Sequence, residues 1–364
     1  MKFLCTQDNL LVGLGAVVHI ASRNTALPIL NNILLKTTKA GLELAATNLE
    51  VGITTTVRGK TEKEGAITIQ GKLLLDWVNL TPVEKIELEV LDGNLLITAG
   101  KRHATIRGIP SDEFPVIPEI SSGIKFVSRS DELISALTCI SLSVKTDEGR
   151  PEISGVLWQI KNNQLFLVGT DSYRLTEARV TIEGGQDIQI ITPLKTVQEL
   201  IRVASGSQDV QVLVNDNQIL FTIDDTKIIS RLVSGQYPDY QQIVPSQFIN
   251  KLIIEKDELV QAVRAASLFV RAGINDIKLN YSPGGVVIIS SANTQIGENF
   301  TEIVPVKSEG EGVEIVFNYR YFLDGLQSIV TSRVVLELNN SNSPAMIKPL
   351  ERADFYYIIM PIRQ

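Results

Sequence analysis

Three stretches decide the fold: QDNLLVGLGAVV at 7–18, SDELISALTCIS at 130–141 and KDELVQAVRAAS at 256–267. Each opens on an acidic residue, Asp8, Asp131 or Asp257, spaced 123 and 126 residues apart. Counted from that Asp, offsets 2, 3, 6 and 9 are apolar every time: Leu10, Leu11, Leu14 and Val17; Leu133, Ile134, Leu137 and Ile140; Leu259, Val260, Val263 and Ala266. This spacing is one face of an amphipathic helix, and the Asp stands where an N-cap or first-turn acid complements the helix dipole. A strand pair follows each helix, in ILLKTTKAGLELAATN from Ile33, VLWQIKNNQLFLVGTD from Val156 and IKLNYSPGGVVIISSAN from Ile277, with turn residues between apolar or alternating runs. A second helix comes next: GKLLLDWVNL from Gly71, LKTVQELIRVA from Leu194 and YRYFLDGLQSIV from Tyr319. A hairpin closes each copy, most legibly at the Asp92-Gly93 turn of KIELEVLDGNLLITAG.

The expected architecture is therefore α+β: three tandem repeats of about 120 residues, each with two helices and antiparallel sheets. Boundaries are expected at 1–122, 123–247 and 248–364, with short linkers near 121–125 and 245–251 that favour packed domains over freely swinging ones.

Composition narrows the function. The chain has 364 residues, 44% hydrophobic and 21% charged with only 6% aromatic, which suits a globular protein with a Val, Ile and Leu core. Cys5 and Cys139 are too few for a disulfide framework and lack zinc-site spacing, so a reducing, cytoplasmic compartment is expected. No run is long enough to span a bilayer, and the start carries no signal-peptide pattern, so no membrane partner is expected. The net charge of −7 argues against a nucleic-acid partner only if charge is evenly spread.

Catalytic chemistry finds little support. His19 and His103 are the only histidines, which makes a hydrolytic triad untenable. Gly71-Lys72-Leu73 and the Gly13, Gly15 pair both fail as phosphate-cradling loops. The acid pairs Asp131-Glu132, Asp224-Asp225 and Asp257-Glu258 are explained by helix starts and turns, so no metal or other cofactor is expected. Cations, by contrast, recur in register. Lys72, Lys195 and Arg320 sit alike on the second helices, each followed four residues later by Asp76, Glu199 or Asp324. An i to i+4 ion pair would account for them. Arg23, Lys145 and Arg271 also follow the first helices, and two periodic cations per repeat could form a phosphate-facing stripe.

The chain resembles the bacterial sliding clamps, the beta subunits of DNA polymerase III, along essentially its whole length. MKF at the start, TALPILNNILL from Thr25, VGTDSYRLTEA from Val168, SGQYPDYQQIVP from Ser234, FNYRYFLDGL from Phe317 and the terminal YYIIMPIRQ carry the resemblance. It implies a non-catalytic processivity factor: a head-to-tail homodimer whose six domains ring duplex DNA without sequence preference. Helix arithmetic agrees. Twelve helices about 10 Å across give a hole of roughly 28 Å, whereas six leave only about 9 Å, narrower than the ~12 Å major groove. A single chain cannot encircle DNA.

The resemblance implies DNA-facing roles for Arg23, Arg150 and Lys195, to which the repeat register adds Lys72, Arg271 and Arg320. It makes Ile106, Leu268 and Phe269 dimer-contact candidates. It also implies an apolar groove for short peptides of the polymerase catalytic subunit, the clamp loader and other replication and repair proteins. The groove residues are Ile153, Thr170, Ser172, Tyr173, Arg174 and Leu175, then Pro238, Gln242 and Ile243, then Ile358, Met360, Pro361, Ile362 and Arg363. Ser172, Tyr173 and Gln242 depart from the Gly, His and Arg often found there, which bears on peptide preference. Two other readings compete: a peptide-binding scaffold of the same repeats that never meets DNA, and an enzyme, for which no cleft with a perturbed base can be located.

Overall fold

The computed structural model describes residues 1–21, 27–82, 84–147, 149–270 and 273–363. The first repeat runs β1 (Lys2–Thr6), α1 (Gln7–Val17), β2 (Asn32–Thr38), β3 (Gly41–Thr47), β4 (Val51–Val57), β5 (Lys60–Lys63), β6 (Ala66–Gln70), α2 (Gly71–Asn79), β7 (Lys85–Leu91), β8 (Asn94–Ala99) and β9 (Arg102–Arg107). The second runs β10 (Ile124–Arg129), α3 (Ser130–Ser141), β11 (Gly155–Lys161), β12 (Gln164–Thr170), β13 (Arg174–Gly184), β14 (Ile188–Pro193), α4 (Leu194–Ala204), β15 (Asp209–Val214), β16 (Gln218–Ile223) and β17 (Thr226–Arg231). The third runs β18 (Asn250–Glu255), α5 (Lys256–Ser267), β19 (Asp276–Ser282), β20 (Val286–Asn293), β21 (Gly297–Ile303), β22 (Lys307–Glu309), β23 (Val313–Asn318), α6 (Tyr319–Gln327), β24 (Arg333–Leu338), β25 (Ala345–Pro349) and β26 (Phe355–Ile359).

All six expected helices are present, and their inward faces repeat. Offsets 2, 6 and 9 from the shared Asp are buried in α1, α3 and α5, while offset 3 is half-buried. The acids occupy first turns, and at α1 the cap is Thr6, whose side chain accepts from the Asn9 amide at 3.3 Å. Gly13 lets α1 lie close on β4, since a Cβ there would come within 2.4 Å of the Val57 side chain. The Asp92-Gly93 turn has φ of 49° and 75°, as a two-residue hairpin of this twist requires. Both connections begin earlier than expected, after Arg107 and Arg231, and they end where extended backbone resumes at Ile124 and Asn250 to pair with β15 and β24.

The chain packs into two compact units, and the division passes through the second repeat. One comprises Met1–Ile134, Ile182–Gln186 and Lys195–Leu232; the other comprises Ser135–Thr181, Asp187–Leu194 and Val233–Gln364. Within the first, strands hydrogen-bond in the order β6-β2-β3-β4-β17-β16-β15-β10, so β4 of one repeat pairs with β17 of the next. The second unit repeats the arrangement as β14-β11-β12-β13-β26-β25-β24-β18. One further sheet completes each unit: β5-β1-β7-β8-β9 in the first and β21-β20-β19-β23 in the second. The cores are mainly Leu, Ile and Val, with Trp158, Tyr357 and Phe317 among the largest buried rings.

Candidate peptide groove and cation sites

The segment from Thr170 to Leu175 is a tight corner between β12 and β13. Thr170 Oγ1 accepts from the Ser172 amide at 3.1 Å and donates to the Arg174 carbonyl at 2.6 Å. Asp171 Oδ1 accepts from the Tyr173 and Arg174 amides at 3.0 and 3.1 Å. Ser172 adopts φ of 74°, a left-handed conformation held by these bonds. The Arg174 guanidinium is nearly buried. It pairs with Asp171 at 3.1 Å and with Asp324, and lies 4.4 Å from the centre of the Tyr321 ring. Burial works against its charge, but Tyr357, Asp324 and Asp171 together outweigh that effect and hold it protonated. Tyr173, exposed, stacks on Tyr321 with ring centres 6.3 Å apart.

Strand β26 lies antiparallel on β13, with Leu175 opposite Ile358. Both are fully buried and share an apolar cluster with Leu157, Val168, Ile191, Tyr237, Tyr240 and Met346. The final strand stops at Ile359; the tail beyond it is tied down by Met360 N donating to Tyr173 O at 2.9 Å and Ile362 N to Val316 O at 2.8 Å. Met360, Pro361 and Ile362 remain half-exposed and Arg363 exposed. The segment carrying Pro238, Gln242 and Ile243 enters through its two tyrosines, which anchor in that cluster while these three residues stay exposed. Ile153 is buried in the 3-10 turn Pro151–Ile153. Leu175, Ile358 and the two tyrosines of the linker segment thus share one buried cluster, while the half-exposed tail is bonded alongside it to Tyr173 and Val316.

Sequence reasoning missed Glu177, which alternates along β13 as an ordinary strand residue but is buried. Its Oε2 accepts from Tyr240 Oη and Tyr356 Oη, both at 2.8 Å, and its Oε1 from Arg179 Nε at 3.0 Å. Burial and then this carboxylate push both tyrosine hydroxyls above their usual range. The spaced tyrosines of SGQYPDYQQIVP were the available signal.

Among the cation candidates, Arg23 and Arg271 lie outside the described residues. Lys72, Lys195 and Arg320 are exposed. The i to i+4 pair forms only at Lys195, 2.8 Å from Glu199. Lys72 makes no ion pair among the described residues, and Arg320 donates to Tyr319 Oη at 3.2 Å because Asp324 is taken by Arg174. Arg150 donates to Ser172 Oγ at 2.9 Å and pairs with Asp147 at 3.3 Å, which sets it beside the corner at Thr170. Of the dimer candidates, Ile106 is buried on β9, Leu268 is 73% exposed and Phe269 half-buried. Among the described residues, no helix is long and apolar enough to cross a membrane.

Profiles of the DNA polymerase III beta subunit match nearly the whole chain: the N-terminal domain at 1–118, the central domain at 128–239 and the C-terminal domain at 241–363. The chain belongs to this family. It is 28% identical over 366 residues to the beta sliding clamp of Chlamydia pneumoniae, covering 100% of this chain and 99% of that one. It is 27% identical over 376 residues to the Bacillus subtilis beta sliding clamp, covering 100% of both. Among solved structures, the DNA polymerase III beta subunit of Thermotoga maritima superposes with a TM-score of 0.95 at 26% identity, covering 100% of this chain and 99% of that one. A Pseudomonas aeruginosa sliding clamp bound to griselimycin gives 0.95 at 27% identity, with both chains fully covered. The three-domain clamp fold and a non-catalytic role as a sliding clamp in DNA replication follow from this membership.

Proposed function

We propose that the protein works in the cytoplasm as a head-to-tail homodimer, a six-domain ring built from domains 1–122, 123–247 and 248–364, which encloses duplex DNA and tethers the replicative polymerase. The observation that carries this reading is a pair of vacant strand edges. In β4:β17 and in β13:β26, an inner strand of one repeat pairs with the last strand of the next. The remaining members of those two sets are β21 of the third repeat and β9 of the first, and each ends its sheet among the described residues. Joining β21 of one copy to β9 of another would give the order β23-β19-β20-β21-β9-β8-β7-β1, the same eight positions as in the other two sheets, with β5 added beyond β1 as β22 is beyond β18. An exposed edge is a template for such pairing, and the contact is heterologous, so it closes only if the rotation completes a ring. Ile106 lies on β9, and beyond α5 the Phe269 ring lies beside the start of β21 at Gly297, with Leu268 exposed next to it.

Lys72, Lys195, Arg320, Arg23 and Arg271 then supply weak, exchangeable phosphate contacts that permit sliding, while enclosure provides retention. Arg150 is assigned with them, although its bond to Ser172 also puts it within reach of a docked peptide. Partner peptides dock where Leu175, Ile358, Ile243 and the tail converge, and tethering raises the effective concentration of the polymerase at its template. Single-particle electron microscopy of the purified protein tests the reading: six-lobed rings with a duplex-sized hole are expected, and crescents or compact monomers at every concentration would overturn it.

A further inference from the structure

The two eight-strand sheets carry clefts in corresponding places, and comparing them isolates one residue. In the first unit a cleft of about 410 Å³ lies under the segment 111–120, with Leu34, Phe114 and Ile117 in its lining. In the second a cleft of about 570 Å³ lies under 236–241, lined by Leu157, Tyr237 and Tyr240, each 123 residues further along the chain. The strand pairs match as well: Thr54 lies opposite Lys227 on β4:β17, and Glu177 opposite Tyr356 on β13:β26. Thr54, Ile117 and Lys227 in one unit therefore correspond to Glu177, Tyr240 and Tyr356 in the other.

The first linker is held by apolar packing, with Phe114 and Ile117 against Ile29, Leu30 and Ala45. The second is also packed on an apolar cluster, through Tyr237 and Tyr240, but is held in addition by a hydrogen bond to a buried carboxylate that the first unit lacks. Burying a carboxylate is costly unless its oxygens are satisfied, and hydrogen bonds to an ionised acceptor are short and directional. Here they fix three elements at one point: β13 through Glu177 itself, the turn Tyr240–Ile243 through Tyr240, and β26 through Tyr356. Those elements carry Leu175, Gln242 with Ile243, and Ile358 with the tail.

We propose that Glu177 is a positioning residue for the partner-peptide groove, clasping the linker and the C-terminal strand to β13 so that the groove stands preformed before a peptide arrives. This inference rests on the groove reading above. Preformed walls leave less ordering for the ligand to drive, and the gain should show chiefly as slower dissociation.

The test uses the full chain and griselimycin as the probe, well below the melting transition, with folding checked by near-ultraviolet circular dichroism. Glu177→Ala is expected to bind about tenfold more weakly, whereas Glu177→Gln, whose amide oxygen still accepts from both tyrosines, stays within about threefold. Ile117→Ala, which loosens the other linker, leaves probe affinity unchanged, so general destabilisation is distinguished from loss of positioning. A folded Glu177→Ala chain that binds like the parent overturns the inference. If that variant does not fold, Tyr240→Phe and Tyr356→Phe carry the test: about threefold weakening in each supports it, and parental affinity in both overturns it. A chain ending at Ile359 separates the two readings. If it binds griselimycin as well as the parent does, the groove itself is misplaced and this inference falls with it; if it loses binding while the Glu177 variants do not, only the positioning role fails.

Discussion

Arg202 reaches from α4 to the end of α1, where its Nη2 donates to the carbonyl of Ala16 at 2.6 Å. It also donates to Gly15 O, and Glu199 holds the guanidinium from behind at 2.7 Å. Helix α1 has no basic residue in its own last turn, so the second repeat supplies the cation that its exposed carbonyls and dipole favour. Arg202→Ala is expected to lower stability by about 2 kcal/mol, because it also leaves Glu199 buried with one partner fewer. Urea denaturation measures this, and a loss below about 0.5 kcal/mol would contradict the bridging role.

Acid should expose the same cluster. Burial acts to raise the Glu199 carboxyl, but Lys195 and Arg202 outweigh it and hold the group below its ordinary value of 4.5. With the folded value depressed, the unfolded chain takes the proton first as pH falls. The contribution of Glu199 is therefore fully present above the unfolded value and disappears as pH drops through the folded one. The melting-temperature advantage of the parent over Glu199→Gln should shrink steadily on acidification below about pH 4.5. A constant difference across that range would exclude the linkage.

Charge reversal separates cations that face solvent alone from one that also serves the fold. Lys72→Glu and Arg320→Glu should leave the melting temperature unchanged, since neither cation pairs with the acid four residues on. Each should reduce the slope of log affinity for duplex DNA against log salt by about 0.9 per lost phosphate contact. Lys195→Glu should weaken DNA contact too, but with a lower melting temperature, because it sets a second acid beside Glu199. Unchanged salt slopes would remove these residues from the DNA-facing surface.

The vacant strand edges predict where the ring can be broken. Phe300 on β21 is 60% exposed, and Leu268 more so. Phe300→Asp or Leu268→Asp should yield folded monomers in sedimentation velocity, because a charge desolvated at a contact between copies costs at least about 2 kcal/mol. Dimers of parental affinity in both variants would place the contact elsewhere.

Tyr237 offers a stability test within the groove cluster. Its hydroxyl is buried with no well-aligned hydrogen bond among the described residues beyond a weak approach of the Thr170 backbone, and its counterpart in the first unit is Phe114. Tyr237→Phe should preserve the packing and stabilise the chain by about 1 kcal/mol, since it removes an unsatisfied polar group. A fall in melting temperature would mean that the hydroxyl has a partner.

The stretches proposed for the groove were legible in sequence as distinctive local runs, and the structure brings Leu175, Tyr237, Tyr240 and Ile358 from them into one cluster. Glu177 was not legible: on β13 it reads as one more alternating polar residue, and only the packing of Tyr240 and Tyr356 over it makes it a buried acceptor. Arg320 and Asp324 illustrate the opposite error. Their spacing predicts an ion pair, yet Asp324 turns to Arg174, 150 residues away along the chain, whose guanidinium is nearly buried and needs the charge more.

Sequence alone determined the three repeats, their six helices and their hairpins, because helical periodicity and turn chemistry are short-range properties that each segment carries by itself. Tertiary structure alone decided which strand of one repeat pairs with which strand of the next, how Arg202 closes the end of α1, and where the carboxylate of Glu177 comes to rest. Those outcomes depend on backbone edges and buried charges finding partners far along the chain, and no local spacing records which partner satisfies them.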